Sequence, residues 1–132
     1  SFPFFVVQHP GPLNSLGRVQ FLLLHQYSIY LHDTPANHLF NIEQRDFSHG
    51  CVRLERPAEL AVTLLKEQLP NDTIIKYLSE DEKKIIRLEE KIPVHLTYQT
   101  AWRDKDDLLH FREDIYGFDE LSMPVLRNMF SR

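Results

Sequence analysis

Two apolar runs set only a few residues apart constrain this chain most. Val19-Gln20-Phe21-Leu22-Leu23-Leu24 and Ser28-Ile29-Tyr30-Leu31 are rich in β-branched, aromatic and aliphatic side chains, which suit a pleated, half-buried surface. So short a connection predicts an antiparallel hairpin. The second run ends on His32-Asp33-Thr34-Pro35. Proline cannot donate to a ladder, so Thr34-Pro35 breaks the strand and opens a long loop. His32 is left at a strand end, a rigid place from which to present a side chain.

The loop leads to Ser48-His49-Gly50-Cys51-Val52-Arg53-Leu54, which holds the only cysteine of the chain beside a histidine and a glycine. A lone thiol with histidines near it fits acyl transfer through a thioester. A cysteine ordinarily titrates at roughly 8.5, so it needs a neighbouring base or positive charge to react as thiolate near neutrality. Gly50 lets consecutive backbone N–H groups turn toward a developing oxyanion with no Cβ in the way. The base is a choice between His32 and His49, and spacing alone does not decide it. The Asp33 carboxylate does not complete a triad by position, since adjacent strand residues point to opposite faces. A zinc site from His25, His32, His49 and Cys51 lacks the C-x-x-C or H-E-x-x-H spacing that would support it. Gly11 and Gly17 come without the lysine of a phosphate loop and read as a turn.

Elsewhere the punctuation predicts a mostly β domain with a few helices. Phe4–Val7 is a candidate strand closed by the turn His9 to Asn14. Pro57 to Leu69 predicts a helix, with Pro57 at its first position, Glu59 in the first turn and Leu60, Ala61, Leu64 and Leu65 as an apolar stripe. Asp72-Thr73 is a candidate cap for a second helix through about Leu78. Ile85–Leu88 and Val94–Tyr98 alternate like strands, with Pro93 marking an edge or a strand start. Leu108–Arg112 is a further strand after a polar turn, and Met123–Arg132 a terminal helix.

Bulk properties narrow the classes. The 132 residues suffice for one core and are too few for two ordinary domains. A net charge of −4 argues against a general nucleic-acid binder. No apolar run approaches the roughly 20 residues that span a bilayer. Ser1 to Val7 is too short for a secretion signal and lacks a charged front and a cleavage site. The sequence is read as an excised or mature-region fragment.

His32, fifteen intervening residues, and Ser48-His49-Gly50-Cys51-Val52-Arg53 resemble the signature of the L,D-transpeptidases, the YkuD-type catalytic domain of bacterial cell-wall enzymes. Pro10-Gly11-Pro12, Leu16 to Phe21, Ile29 to Pro35, Leu39-Phe40, Arg45, Pro93 to Trp102 and Asp114 to Gly117 resemble its large Gram-negative periplasmic branch. The likeness covers about Val7 to Asp119. It implies a β-sandwich-type catalytic fold with the cysteine in a groove. That fold is incomplete at the N-terminus here, because the strands and substrate-capping subdomain that the family places upstream are not in residues 1–132. Exposed sheet edges are the expected result.

The resemblance also implies roles. Cys51 is the nucleophile and His32 the base, with the Asp33 backbone carbonyl orienting its ring. Gly50 and Cys51 supply oxyanion N–H groups, and His49 is a secondary group lining the cysteine. Ser48 either hydrogen-bonds near the cysteine or closes a turn. Arg53 binds a substrate carboxylate or braces the loop through an ion pair; on the residues alone, Tyr30 is either a core or groove-wall aromatic or a contact to the peptide stem. The implied substrates are peptidoglycan stem peptides: a tetrapeptide donor losing D-alanine and the diamino-acid amine of a neighbouring stem, joined in a 3→3 cross-link. No cofactor or metal is required, and carbapenems acylate the family's cysteine. Water as acceptor (an L,D-carboxypeptidase), attachment of a lipoprotein to the wall, and a silent peptidoglycan-binding module are the alternatives. The expected location is the periplasm or cell envelope of a Gram-negative bacterium.

Overall fold

The structure, a computed structural model, describes residues 7–23 and 27–130. The expected hairpin is present. Strand β1 (Gln20–Leu22) pairs antiparallel with β2 (Tyr30–His32), Gln20 facing His32 and Leu22 facing Tyr30. His32 is the last residue of β2. A second neighbour was not visible in the sequence: β3 (Val52–Arg53) adds to β2 in parallel, giving the order β1-β2-β3. The parallel join needs a crossover, and residues 33–51 make it with one short 3₁₀ turn, Asn37–Asn41.

Helix α1 (Pro57–Leu65) starts on the expected proline, with Glu59 in its first turn. It stops four residues before the expected Leu69, yet the chain keeps turning there, since the Gln68 and Leu69 N–H groups both donate to Leu65 O at 2.9 and 2.8 Å. Helix α2 (Asn71–Ser79) follows Pro70 without a side-chain cap, so Asp72 is not the cap but a first-turn carboxylate favoured by the helix dipole. The two helices pack together, and their buried apolar side chains are Ala61, Leu65 and Ile74. Ile74 is only 1% exposed. Ile74→Ala is expected to cost about 2–5 kcal/mol, read as a lowered midpoint in denaturant unfolding.

The alternating stretches at Ile85–Leu88 and Val94–Tyr98 form no ladder. Residues 94–99 are exposed throughout, and strand propensity is realised only where a partner and a packing surface exist. At 87–89 a side chain stands in for that partner. Gln68 Nε2 donates to Arg87 O at 2.9 Å, and Gln68 Oε1 accepts from Glu89 N at 3.1 Å. This is the pattern one residue of a parallel neighbour would offer.

Contacts divide the chain into two compact units, with the boundary between Pro93 and Val94. In the second unit, β4 (Ala101–Arg103) and β5 (Leu109–Phe111) pair antiparallel, the latter inside the expected Leu108–Arg112. Asp104 shapes their turn. Its Oδ1 accepts from Asp106 N and Leu108 N at 2.9 and 3.0 Å, and its Oδ2 meets His110 Nε2 at 2.7 Å. The His110 ring stacks on Trp102, centroids 5.3 Å apart. Helix α3 (Phe118–Phe130) ends the described chain and begins five residues before the expected Met123. Its start is fixed by Asp114, whose Oδ2 accepts from Asp119 N at 2.7 Å. Counted as elements among the described residues, five strands outnumber three α-helices. Among the described residues no helix is long and apolar enough to cross a membrane. The strand expected at Phe4–Val7 lies, Val7 apart, outside the described residues, as does His25.

The hydrogen bond from His110, followed by the Leu108 N–H, holds the Asp104 carboxyl below the ordinary aspartate range. A depressed folded value adds stability above the unfolded pKa and loses it as pH falls through the folded one. The thermal midpoint of Asp104→Asn should therefore lie below that of the unsubstituted chain at about pH 6, and the gap should close toward about pH 2.

Candidate active site

The register of the three-stranded sheet assembles the candidate residues. Leu31 lies opposite Val52, and His32 opposite Arg53; the Leu54 N–H donates to His32 O at 2.8 Å and extends the ladder. Partners across a sheet share a face, and alternate residues along a strand share it too. Arg53 therefore stands on the face of His32 and Tyr30. Cys51 immediately precedes β3, two residues before Arg53. The parallel join thus sets the end of β2, with His32, beside the segment that follows Cys51. His32 is buried, Tyr30, Cys51 and Arg53 are half-buried, and Ser48, His49 and Gly50 are exposed.

His32 is fixed in one sense. Its Nδ1 lies 2.5 Å from Asp33 O. A carbonyl oxygen only accepts, so Nδ1 carries the hydrogen, and the neutral ring keeps its lone pair on Nε2. This is the tautomer a general base needs. The Asp33 carboxylate points elsewhere. Its Oδ1 accepts from Thr34 N at 2.7 Å and its Oδ2 from Arg18 N at 2.8 Å. The Asp33 N–H donates to Val19 O at 2.8 Å. Arg18 meets this carboxylate through its backbone, while its guanidinium reaches Asp81 at 3.0 Å.

The cysteine loop is tied from within. The Ser48 hydroxyl donates to Cys51 O and accepts from Gly50 N, the latter at 3.2 Å. Gly50 has φ +137°, a conformation that side-chain-bearing residues rarely adopt, so alanine there would be strained. Arg53 Nη2 donates to Phe47 O at 3.3 Å, so its contact with the loop is made to a carbonyl and not through the ion pair foreseen as its brace. Arg45 likewise donates from Nη2 to Phe40 O at 2.6 Å and from Nε to Ile42 O at 3.0 Å, holding the end of the 3₁₀ turn. The two arginines brace the crossover at both of its halves. Sequence reasoning missed these carbonyl partners and the buried Thr34, 4% exposed, because nothing in residue type or spacing announces a contact to a main-chain oxygen. Among the described residues no group of three or more His, Cys, Asp or Glu side chains is placed to hold a metal ion. His25, weighed for a zinc site, is not among them.

A free thiol, an imidazole with one nitrogen committed to a carbonyl and a glycine-hinged loop thus lie around the β2–β3 join. The family model of the YkuD L,D-transpeptidase catalytic domain matches residues 2–85, and the chain belongs to that family. It is also 38% identical over 119 residues to a Haemophilus influenzae protein named "Putative L,D-transpeptidase". That alignment takes in 89% of this chain and 24% of the relative, so the chain spans about a quarter of the length of the curated relative it matches.

Proposed function

We propose that this chain carries the acyl-transfer centre of a peptidoglycan L,D-transpeptidase that works through a cysteine thioester. The observation that supports the reading is the parallel β2–β3 register, which pairs Arg53, two residues after Cys51, with a histidine whose Nδ1–H is engaged by Asp33 O. Cys51 Sγ attacks the carbonyl of the third residue of a tetrapeptide stem, and His32 Nε2 takes the thiol proton. The tetrahedral oxyanion sits toward the N–H groups of Gly50 and Cys51. Gly50 donates to Ser48 Oγ here at 3.2 Å, so that long bond is exchanged for the oxyanion as charge develops. Collapse breaks the bond to the terminal D-alanine, whose amine takes the proton from His32. The side-chain amine of a diamino acid on a neighbouring stem then attacks the thioester and gives its proton to His32. The products are a 3→3 cross-link and a thiol restored by that proton.

Arg53 and Tyr30 share the face of His32 and form the wall against which the donor stem lies, while exposed His49 lines the approach. The substrate lies in the cell envelope, which places the working protein in the periplasm of a Gram-negative bacterium. The test is incubation with a purified disaccharide-tetrapeptide, the products being resolved by mass spectrometry. Release of D-alanine with a covalent dimer is the expected result. D-alanine with tripeptide alone would replace the amine acceptor by water. No release from a folded sample would overturn the enzyme reading and leave a silent peptidoglycan-binding module.

A further inference from the structure

The Asp33 side chain has no part in the chemistry above, yet it is among the most heavily tied groups in the sheet. Its two oxygens each hold a backbone N–H, Thr34 at 2.7 Å and Arg18 at 2.8 Å. Above it lies Gly17, buried and at φ +61°. A Cβ built on Gly17 would sit 2.2 Å from Asp33 Oδ2 and 2.3 Å from Cγ. The glycine therefore meets two demands at once, a left-handed backbone and close approach of the carboxylate. The same residue presents its carbonyl to His32 Nδ1 at 2.5 Å. The Thr34 N–H that Oδ1 holds lies in the same planar peptide unit as the Asp33 carbonyl, so that bond restrains the direction in which the carbonyl points.

We propose that the Asp33 carboxylate is a positioning residue for His32: clamped between Arg18 N, Thr34 N and Gly17, it keeps the Asp33 carbonyl aimed at Nδ1 and so keeps Nε2 as the basic nitrogen. The inference rests on the reading of His32 as general base. It adds to that reading a side chain on the far face of the strand, joined to the histidine only through the main chain. Such outer partners hold a catalytic ring within the narrow tolerance that proton transfer demands.

Asp33→Asn replaces a two-acceptor group by one with a single acceptor oxygen, so only one N–H of the clamp stays satisfied. Gly17→Ala reaches the same carboxylate from the other side, by pushing its Oδ2 away. Both variants, His32→Ala and the double variant Asp33→Asn/His32→Ala are compared by the second-order rate of carbapenem acylation across pH, with thermal midpoints in parallel. The expected result is a fall of about tenfold or more in each single variant at neutral pH, with a displaced pH profile. In the His32→Ala background, Asp33→Asn should bring no further loss, since residues acting through one group are not additive. Nitrogen-15 shifts of the His32 ring should show the Nδ1–H tautomer weakened in Asp33→Asn. Wild-type rates and an unchanged pH profile in Asp33→Asn and Gly17→Ala, with His32→Ala slow, would overturn the positioning role alone. A loss that multiplies in the double variant would make Asp33 merely structural and also overturn it. Wild-type acylation by His32→Ala would overturn both the base and its positioning.

Discussion

Cys51→Ala is expected to yield a folded protein that gains no mass on incubation with a carbapenem and releases no D-alanine from a tetrapeptide stem. The substitution removes one half-buried sulfur and leaves the Ser48 bonds to Cys51 O and Gly50 N untouched, since both involve backbone. The stability change should stay within about 1 kcal/mol. The proposed chemistry has no second route, because Cys51 is the only cysteine of the chain and both proposed half-reactions pass through its thioester. Intact-protein mass spectrometry reads the outcome directly. One adduct on the unsubstituted chain and none on Cys51→Ala is the expected pair. An adduct of equal mass on the variant would place the nucleophile elsewhere.

His32→Ala should lower the acylation rate by on the order of 10²–10⁴, the usual worth of a positioned general base. His49→Ala should lower it by less than about tenfold, because the His49 side chain is exposed and acts, if at all, at the mouth of the site. His32 is 5% exposed, and its removal leaves Asp33 O without its donor, so about 1–3 kcal/mol of stability should go as well. Rates are therefore compared on samples shown to be folded by circular dichroism. A larger loss in His49→Ala than in His32→Ala would transfer the base to His49.

The sequence showed where the catalytic groups would stand more readily than how they come together. The β1–β2 hairpin, the place of His32 at a strand end and the proline-started α1 all follow from local signals: a strand-forming run, a Thr-Pro break, a proline at a first helical turn. The parallel partner β3 did not, because two residues are too few to show a period and a parallel pairing leaves no turn signature. Ile85–Leu88 and Val94–Tyr98 carried the right alternation and still formed no strand, since alternation describes a side-chain surface and says nothing of a hydrogen-bonding edge to join. The contact of His32 Nδ1 with Asp33 O joins adjacent residues and lies within reach of a local reading. The work of the Asp33 carboxylate, by contrast, depends on Gly17 and Arg18, fifteen residues or more away, and no local rule links them.

The parallel join of β2 to β3 also bears on the order in which the proposed site is assembled. His32 ends β2 and Cys51 ends the nineteen-residue crossover to β3, which is held by arginine contacts to main-chain oxygens rather than by a core of its own. A chain in which the hairpin has formed but β3 has not docked carries an ordinary thiol and a histidine out of reach of it. Such non-local pairings are late and slow, because loop closure precedes any gain from contact. On the proposed reading thiol and histidine meet only as β3 docks, so the alkylation rate of Cys51 is expected to rise with completion of the sheet.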